Sequence, residues 1–167
     1  MSLSVCEEKV YHEIFVEHAT NLRNFIYYKC GDLNRAEDIT QDSFVKLWQN
    51  CSKVIYDKVR SYLYTIAMNQ FRNEIEHQKV VLKFESRQTK RHDSENPQYL
   101  LEQEEFRQRL EAAISDLPES QRTVFLMNRI DKKKYREIAE ELGVSVKTIE
   151  KRMHQALNQL RKIHKKI

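Results

Sequence analysis

Two glycines and two prolines in 167 residues leave this chain very little from which to build tight turns. Glycine supplies the positive-φ positions of hairpins and phosphate-cradling loops, and proline presets turn geometry. A chain so poor in both cannot reverse direction often enough to make a many-stranded sheet, so the expected fold is all-α. The 40% hydrophobic and 32% charged fractions supply apolar surface for small cores and too much of it for a disordered chain. The length suits one ordinary domain or two small ones.

Several function classes drop out early. No run approaches the roughly 18 apolar residues of a membrane span. Met1 to Lys9 lacks the basic start and apolar stretch of a secretory signal. A cytoplasmic protein with no membrane contact of its own is expected. Cys6, Cys30 and Cys51 are odd in number, far apart and without a neighbouring Cys or His at ligand spacing, so reduced, partly buried thiols are expected and no metal site. The chain has no H-E-x-x-H, no Ser-His-Asp order, no Walker sequence and no Rossmann fingerprint. Neither a cofactor nor a small-molecule substrate is expected, and an enzyme is not.

The formal net charge of +4 is unevenly spread: −1 over residues 1–82, −2 over 83–105 and +7 over 106–167. From Val144 onward, Lys147, Lys151, Arg152, Arg161, Lys162, Lys165 and Lys166 face only Glu150 as an acid. That is the footprint of a polyanion-binding segment.

Apolar periodicity places helices at about Val10–Lys29, Asn34–Asn50 and Lys58–Lys79. Gly31-Asp32 stops the first, and Glu37 and Asp38 favour the opening turn of the second. Ala36, Ile39, Ser43, Phe44, Leu47 and Trp48 are expected on the inner side of the second helix, and Leu63, Ile66, Ala67, Phe71 and Ile75 on that of the third. Residues 83–105 mix charges, Ser, Asn and Pro97 with little apolar period, the composition of a flexible linker. Phe106, Leu110, Ala113 and Ile114 mark a helix ending near Asp116, and Pro118 opens another. The expected organisation is therefore two small helical domains, 1–82 and 106–167, joined by 83–105.

The most informative segment is Tyr135 to Leu160 (YREIAEELGVSVKTIEKRMHQALNQL). Ile138, Ala139 and Leu142 form the inner side of one short helix, Gly143 sits where a left-handed residue ends it, and Ser145 caps the next. Ile149, Met153, Leu157 and Leu160 pack that second helix inward. This is a helix-turn-helix. Its outer side carries Lys147, Thr148, Glu150, Lys151, Arg152, His154 and Gln155, able to contact phosphates and base edges in a major groove. On the third helix, Tyr62 and Tyr64 lie near Lys58, Arg60, Asn69, Arg72 and Asn73, a mixture of flat rings, cations and amides suited to unstacked bases. One of the two tyrosines is expected to serve as such a platform, since aromatics at helical spacing are more often core.

The run Ala36 to Trp48 (AEDITQDSFVKLW) resembles the segment of bacterial RNA polymerase sigma factors, of the extracytoplasmic-function (ECF) group in the sigma-70 family, that docks on the clamp helices of the polymerase. Val59 to Asn69 (VRSYLYTIAMN) resembles that family's promoter-melting helix. Leu117 to Phe125 (LPESQRTVF) and the helix-turn-helix are similar to its region four. The resemblance implies a region 2-like bundle and a region 4-like domain, a sigma factor that binds core RNA polymerase and directs promoter recognition and strand opening, and an anti-sigma partner. It implies that Asp38, Gln41, Asp42, Phe44, Lys46 and Trp48 meet polymerase. It also implies that Ser52, Lys53 and Tyr56 lie where the family captures a flipped base of the downstream promoter element. Glu150 departs from the Lys or Arg frequent in the family's reading helix. The rival reading is a stand-alone helix-turn-helix regulator that binds DNA without polymerase.

Overall fold

In a computed structural model of the chain, residues 3–74, 80–84 and 97–164 are described. The helices are α1 (Glu8–Cys30), α2 (Leu33–Gln49), α3 (Val59–Glu74), α4 (Pro97–Ser115), α5 (Glu119–Arg129), α6 (Tyr135–Leu142) and α7 (Val146–His164). Two single 3-10 turns, Cys51–Lys53 and Tyr56–Lys58, link α2 to α3, and no strand occurs among the described residues.

The first three helices pack together around Leu22, Phe25, Ile26, Ala36, Ile39, Leu47, Leu63, Ala67 and Phe71, all essentially buried. Burying each large side chain in this set stabilises the fold by about 1.5–3 kcal/mol relative to leaving it exposed. Gly31 ends α1 with φ 69°, and its amide donates to the Tyr27 carbonyl at 2.7 Å. A Cβ there would come within 2.9 Å of Val80 Cγ1, so both conformation and space require glycine. Asp32 then caps α2 by accepting from the Arg35 amide at 3.1 Å. That single cap, rather than Glu37 and Asp38, starts the helix, because those two carboxylates lie beyond its first turn.

The carboxyl-terminal half wraps α5, α6 and the amino-terminal part of α7 around Val124, Leu126, Met127, Ile138, Ile149, Met153 and Ala156. α4 packs beside α7. It begins at Pro97, nine residues before Phe106, and so occupies the end of the segment expected as linker; residues 85–96 lie outside the described residues. Its exposed turns are held by Arg107, whose guanidinium pairs with Glu104 at 2.6 Å and Glu111 at 2.7 Å. Hydrogen bonds from Arg107 and Gln108 hold the Glu104 carboxyl down at about 2. Such i,i+3 and i,i+4 pairs support a helix with almost no buried face. The expected end of α3, with Ile75, also lies outside the described residues.

The two halves pack on each other. α5 lies against the carboxyl-terminal end of α1, and α6 against α3. Arg122 on α5, 4% exposed, donates to the last carbonyls of α1, Tyr28 O at 2.7 Å and Lys29 O at 2.9 Å, and to Ser115 O and Leu117 O of its own half at 3.1 and 2.8 Å. Helix-end carbonyls lack intrahelical partners, and a guanidinium with several donors is suited to satisfy several at once. Lys29 pairs with Glu119 at 2.7 Å, and Asp131 accepts from the Tyr28 hydroxyl at 2.8 Å and the Asn24 amide at 3.2 Å.

Candidate nucleic-acid interface

Gly143, at φ 64°, ends α6, and the Val144 amide returns to the Ala139 carbonyl at 3.0 Å. The hydroxyl of Ser145 accepts from the Thr148 amide at 3.1 Å, capping α7. At the other end of α6 the Glu137 carboxylate accepts from the Lys134 amide at 2.7 Å. α6 is thus fixed at both ends and α7 at its start by local sequence, and Ala139, Ile149 and Met153 are buried between them and the rest of the domain. Lys147, Glu150, Lys151, His154 and Gln155 are exposed and Thr148 half-buried. Ser145, Lys147, Thr148, Glu150, Lys151 and His154 surround one shallow depression. His154 Nε2 lies 3.0 Å from the Asn158 amide, and Gln155 accepts weakly, at 3.4 Å, from Gln121.

Arg152 departs from this set. It is half-buried and lines the cleft between the two halves, with Lys29, Asn69, Arg72, Glu119 and Glu140 among its neighbours. Offsets along the sequence put it on the polar side of α7, but the part of that side nearest α5 faces α1 and α3.

On α3 the two tyrosines separate. Tyr62 is half-buried, whereas Tyr64 is 3% exposed, its ring 4.8 Å from that of Phe25. The Tyr64 hydroxyl accepts from Lys133 Nζ at 3.1 Å, and the same ammonium pairs with Glu141 at 2.7 Å. Arg60 reaches the other oxygen of Glu141 at 3.7 Å. Burial first, and then the Glu141 carboxylate, hold the Tyr64 hydroxyl well above its ordinary range. The polar groups of α6 and the Asp131–Lys134 loop therefore cover the Tyr64 part of α3. Ser52, Lys53, Lys58, Asn69, Arg72 and Asn73 remain exposed, and Tyr56 is half-buried.

On α2, Asp38, Gln41, Asp42, Lys46 and Trp48 are exposed, with Asp42 accepting from the Gln70 amide at 2.7 Å. Two positions meet only one of the two expectations placed on them, the inner side of α2 and the polymerase-facing surface. Phe44 is 3% exposed and does not reach the surface, while Trp48, expected inside, is 46% exposed. The reason is α1: the rings of Tyr11 and Phe15 pack edge-on against Phe44, and Tyr11 also packs edge-on against Trp48 at 4.9 Å. Four aromatics at i,i+4 spacing on two helices thus form one cluster whose outer members are Trp48 and Phe15. Phe15, which the apolar period of α1 puts with Ile14 and Leu22 on the inner stripe, is 44% exposed and joins this face, and its spacing from Tyr11 is the signal that could have found it.

The expected set of three reduced thiols also needs correction. Cys6 and Cys51 are joined by a disulfide, their Cα atoms 5.1 Å apart. A sequence separation of 45 hid a pairing that only the return of α2 toward the start of α1 creates. Cys30 is free, and burial pushes its thiol up. Among the described residues no group of three His, Cys, Asp or Glu side chains is placed to hold a metal ion, and no helix is long and apolar enough to cross a membrane.

The geometry places an exposed basic helix-turn-helix beside a helical bundle with a polar and aromatic face. The family model described as Sigma-70 region 2 matches residues 14–80, and the one described as Sigma-70, region 4 matches residues 107–160. The chain is 28% identical over 166 residues to the ECF RNA polymerase sigma factor RpoE of Cereibacter sphaeroides, covering 93% of this chain and 86% of that one. It is 25% identical over 152 residues to the ECF RNA polymerase sigma factor SigE of Mycolicibacterium smegmatis, covering 89% of this chain and 59% of that protein's length. Its fold is similar to the sigma factor RpoE solved in complex with the anti-sigma factor NepR from Bartonella quintana, with a TM-score of 0.66 at 19% identity over 94% of this chain and 98% of that one.

Proposed function

Because the chain belongs to the sigma-70 family of RNA polymerase sigma factors, in its ECF group, we propose that it binds core RNA polymerase and directs promoter recognition, strand opening and transcription initiation. The observation that carries this reading is the order of the two matched regions, with the outer sides of α2 and of the start of α7 exposed. Residues 1–82 dock on the polymerase through Asp38, Gln41, Asp42, Lys46 and Trp48, with Phe15 completing the apolar part of that face. Phe44 acts beneath it, as the ring against which Tyr11 and Phe15 are set. Residues 106–167 place α7 in the major groove of the upstream element, where Lys147 and Lys151 meet phosphate or guanine, Gln155 and His154 reach base edges, and Glu150 accepts from cytosine or orients a neighbouring cation.

Strand opening needs more than the closed arrangement offers. Ser52, Lys53, Tyr56, Lys58, Asn69, Arg72 and Asn73 are accessible to downstream DNA, and Tyr62 is the more available of the two rings. Tyr64 and Arg60 become available when the α6–α3 contact parts and Glu141 releases them, which also frees Arg152 for DNA. The stretch between Phe84 and Pro97 then sets the distance between the halves. Capture of unpaired bases pulls an unfavourable opening equilibrium forward, and the chain itself makes and breaks no bond. It works in the cytoplasm and is held in check by an anti-sigma protein. The test is run-off transcription from genomic fragments with purified core enzyme: specific transcripts that depend on this chain are expected. A stand-alone regulator would instead bind DNA and leave the core enzyme unprogrammed.

A further inference from the structure

The disulfide joins two places that have different jobs. Cys6 lies in the short segment before α1, anchored beside it by Val5, which is 1% exposed, and by a turn in which the Glu7 amide donates to the Ser4 carbonyl at 3.1 Å. Cys51 opens the connection between α2 and α3, immediately before Ser52 and Lys53. Cys51, Val54 and Tyr56 of that connection pack partly against the core, while the residues between them face solvent. Its two 3-10 turns are closed by local backbone bonds, Lys53 N to Asn50 O at 2.9 Å, Val54 N to Cys51 O at 3.3 Å, Lys58 N to Ile55 O at 2.8 Å and Val59 N to Tyr56 O. Ser52, Lys53, Ile55, Asp57 and Lys58 are exposed. Cys6 and Cys51 are both half-buried.

We propose that Cys6 and Cys51 form a reversible thiol–disulfide site, oxidised by peroxides, whose state sets how firmly the 51–58 turn is held for downstream promoter DNA. The proposal rests on the reading of that turn as a downstream contact. In the forward step one thiolate attacks the O–O bond of the peroxide, becoming a sulfenic acid and releasing water, or an alcohol from an organic peroxide. The second thiolate displaces the sulfenic oxygen, the S–S bond forms and a water leaves. Two thiols lose two electrons and one peroxide gains them. A dithiol reductant reverses the step by exchange through a mixed disulfide. Cys30 takes no part: it is unpaired with any cysteine, its thiol is pushed up by burial, and it stands at the opposite end of α1 from Cys6, beside the Asp32 amide. The oxidised state spares the turn part of its ordering cost on binding, so it is the more active one.

The test uses the full chain, reduced with dithiothreitol and then treated or not with hydrogen peroxide. Alkylation with iodoacetamide and intact mass should show three labels on the reduced chain and one, on Cys30, after peroxide. Each form is then combined with core RNA polymerase for run-off transcription and permanganate footprinting. The oxidised form should give roughly threefold to tenfold more transcript and more reactive thymines at limiting holoenzyme, an effect of the size preorganisation commonly gives. Cys6→Ser and Cys51→Ser should each stay at the reduced level whatever the treatment, and Cys30→Ser should keep the response. Three labels after peroxide, or equal transcription from both forms of the unmutated chain, would overturn the proposal alone. No transcription from either form would overturn the sigma-factor reading, and this proposal with it.

Discussion

Replacing Arg122 with alanine removes one guanidinium that serves four carbonyl oxygens, two in each half of the molecule. The side chain is almost wholly buried, so water does not simply take its place. A hydrogen bond to a charged donor contributes about 1.5–3 kcal/mol, and a buried acceptor left alone costs about 1–3 kcal/mol. The four bonds share one desolvation penalty and do not add, so the expected loss is about 3–5 kcal/mol, the range for breaking a buried charged cluster. With a urea m-value of about 2 kcal/mol/M, the midpoint falls by roughly 1.5–2.5 M. Arg122→Lys should recover only part of this, since one ammonium has three donors on a point charge and cannot span four oxygens spread over both halves. Urea unfolding followed by circular dichroism and by tyrosine fluorescence measures the effect. A loss below about 1 kcal/mol at unchanged m would refute the view that Arg122 ties the halves together.

Lys147→Ala and Lys151→Ala should each weaken DNA binding on every sequence and reduce the slope of log K against log salt by about 1, as read by fluorescence anisotropy at several salt concentrations. His18 is half-buried, and burial lowers its pKa below the usual 6.5, with Glu17 opposing and Arg60 adding to the shift. The unfolded chain therefore takes the proton more readily, so His18's share of stability is complete above about pH 6.5 and fades as pH falls below it; His18→Asn should flatten urea midpoints between pH 7 and pH 5. Reducing the Cys6–Cys51 bond, which spans 45 residues, should lower stability by about 4 kcal/mol through the freed chain entropy, visible as a lower thermal midpoint in dithiothreitol that Cys30→Ser does not alter.

The helices and the helix-turn-helix were legible because their signals are local. Gly31 and Gly143 ended helices where glycine at positive φ was expected, and Ser145 capped α7. What escaped was decided by distant contacts. Charged residues are read as exposed by default, so Arg122 and Lys133 gave no sign that they would be buried between the halves. Trp48 sits at the edge of the apolar stripe of α2, where Tyr11 of α1 packs edge-on against it and still leaves it 46% exposed. Tyr64 lost its access to α6, which lies about seventy residues away in sequence. The opening turns of α4 read as linker because their apolar residues, Tyr99, Leu100 and Leu101, are consecutive and exposed and so carry no helical period.

The measurement that bears most directly on the central claim is size-exclusion chromatography of the chain with purified core RNA polymerase, with Trp48→Ala and Phe15→Ala alongside. The unmutated chain should elute in a one-to-one complex, and the variant carrying both substitutions should bind at least tenfold more weakly, in line with loss of two aromatic anchors at one interface. Elution of the unmutated chain apart from the polymerase at micromolar concentration would contradict it.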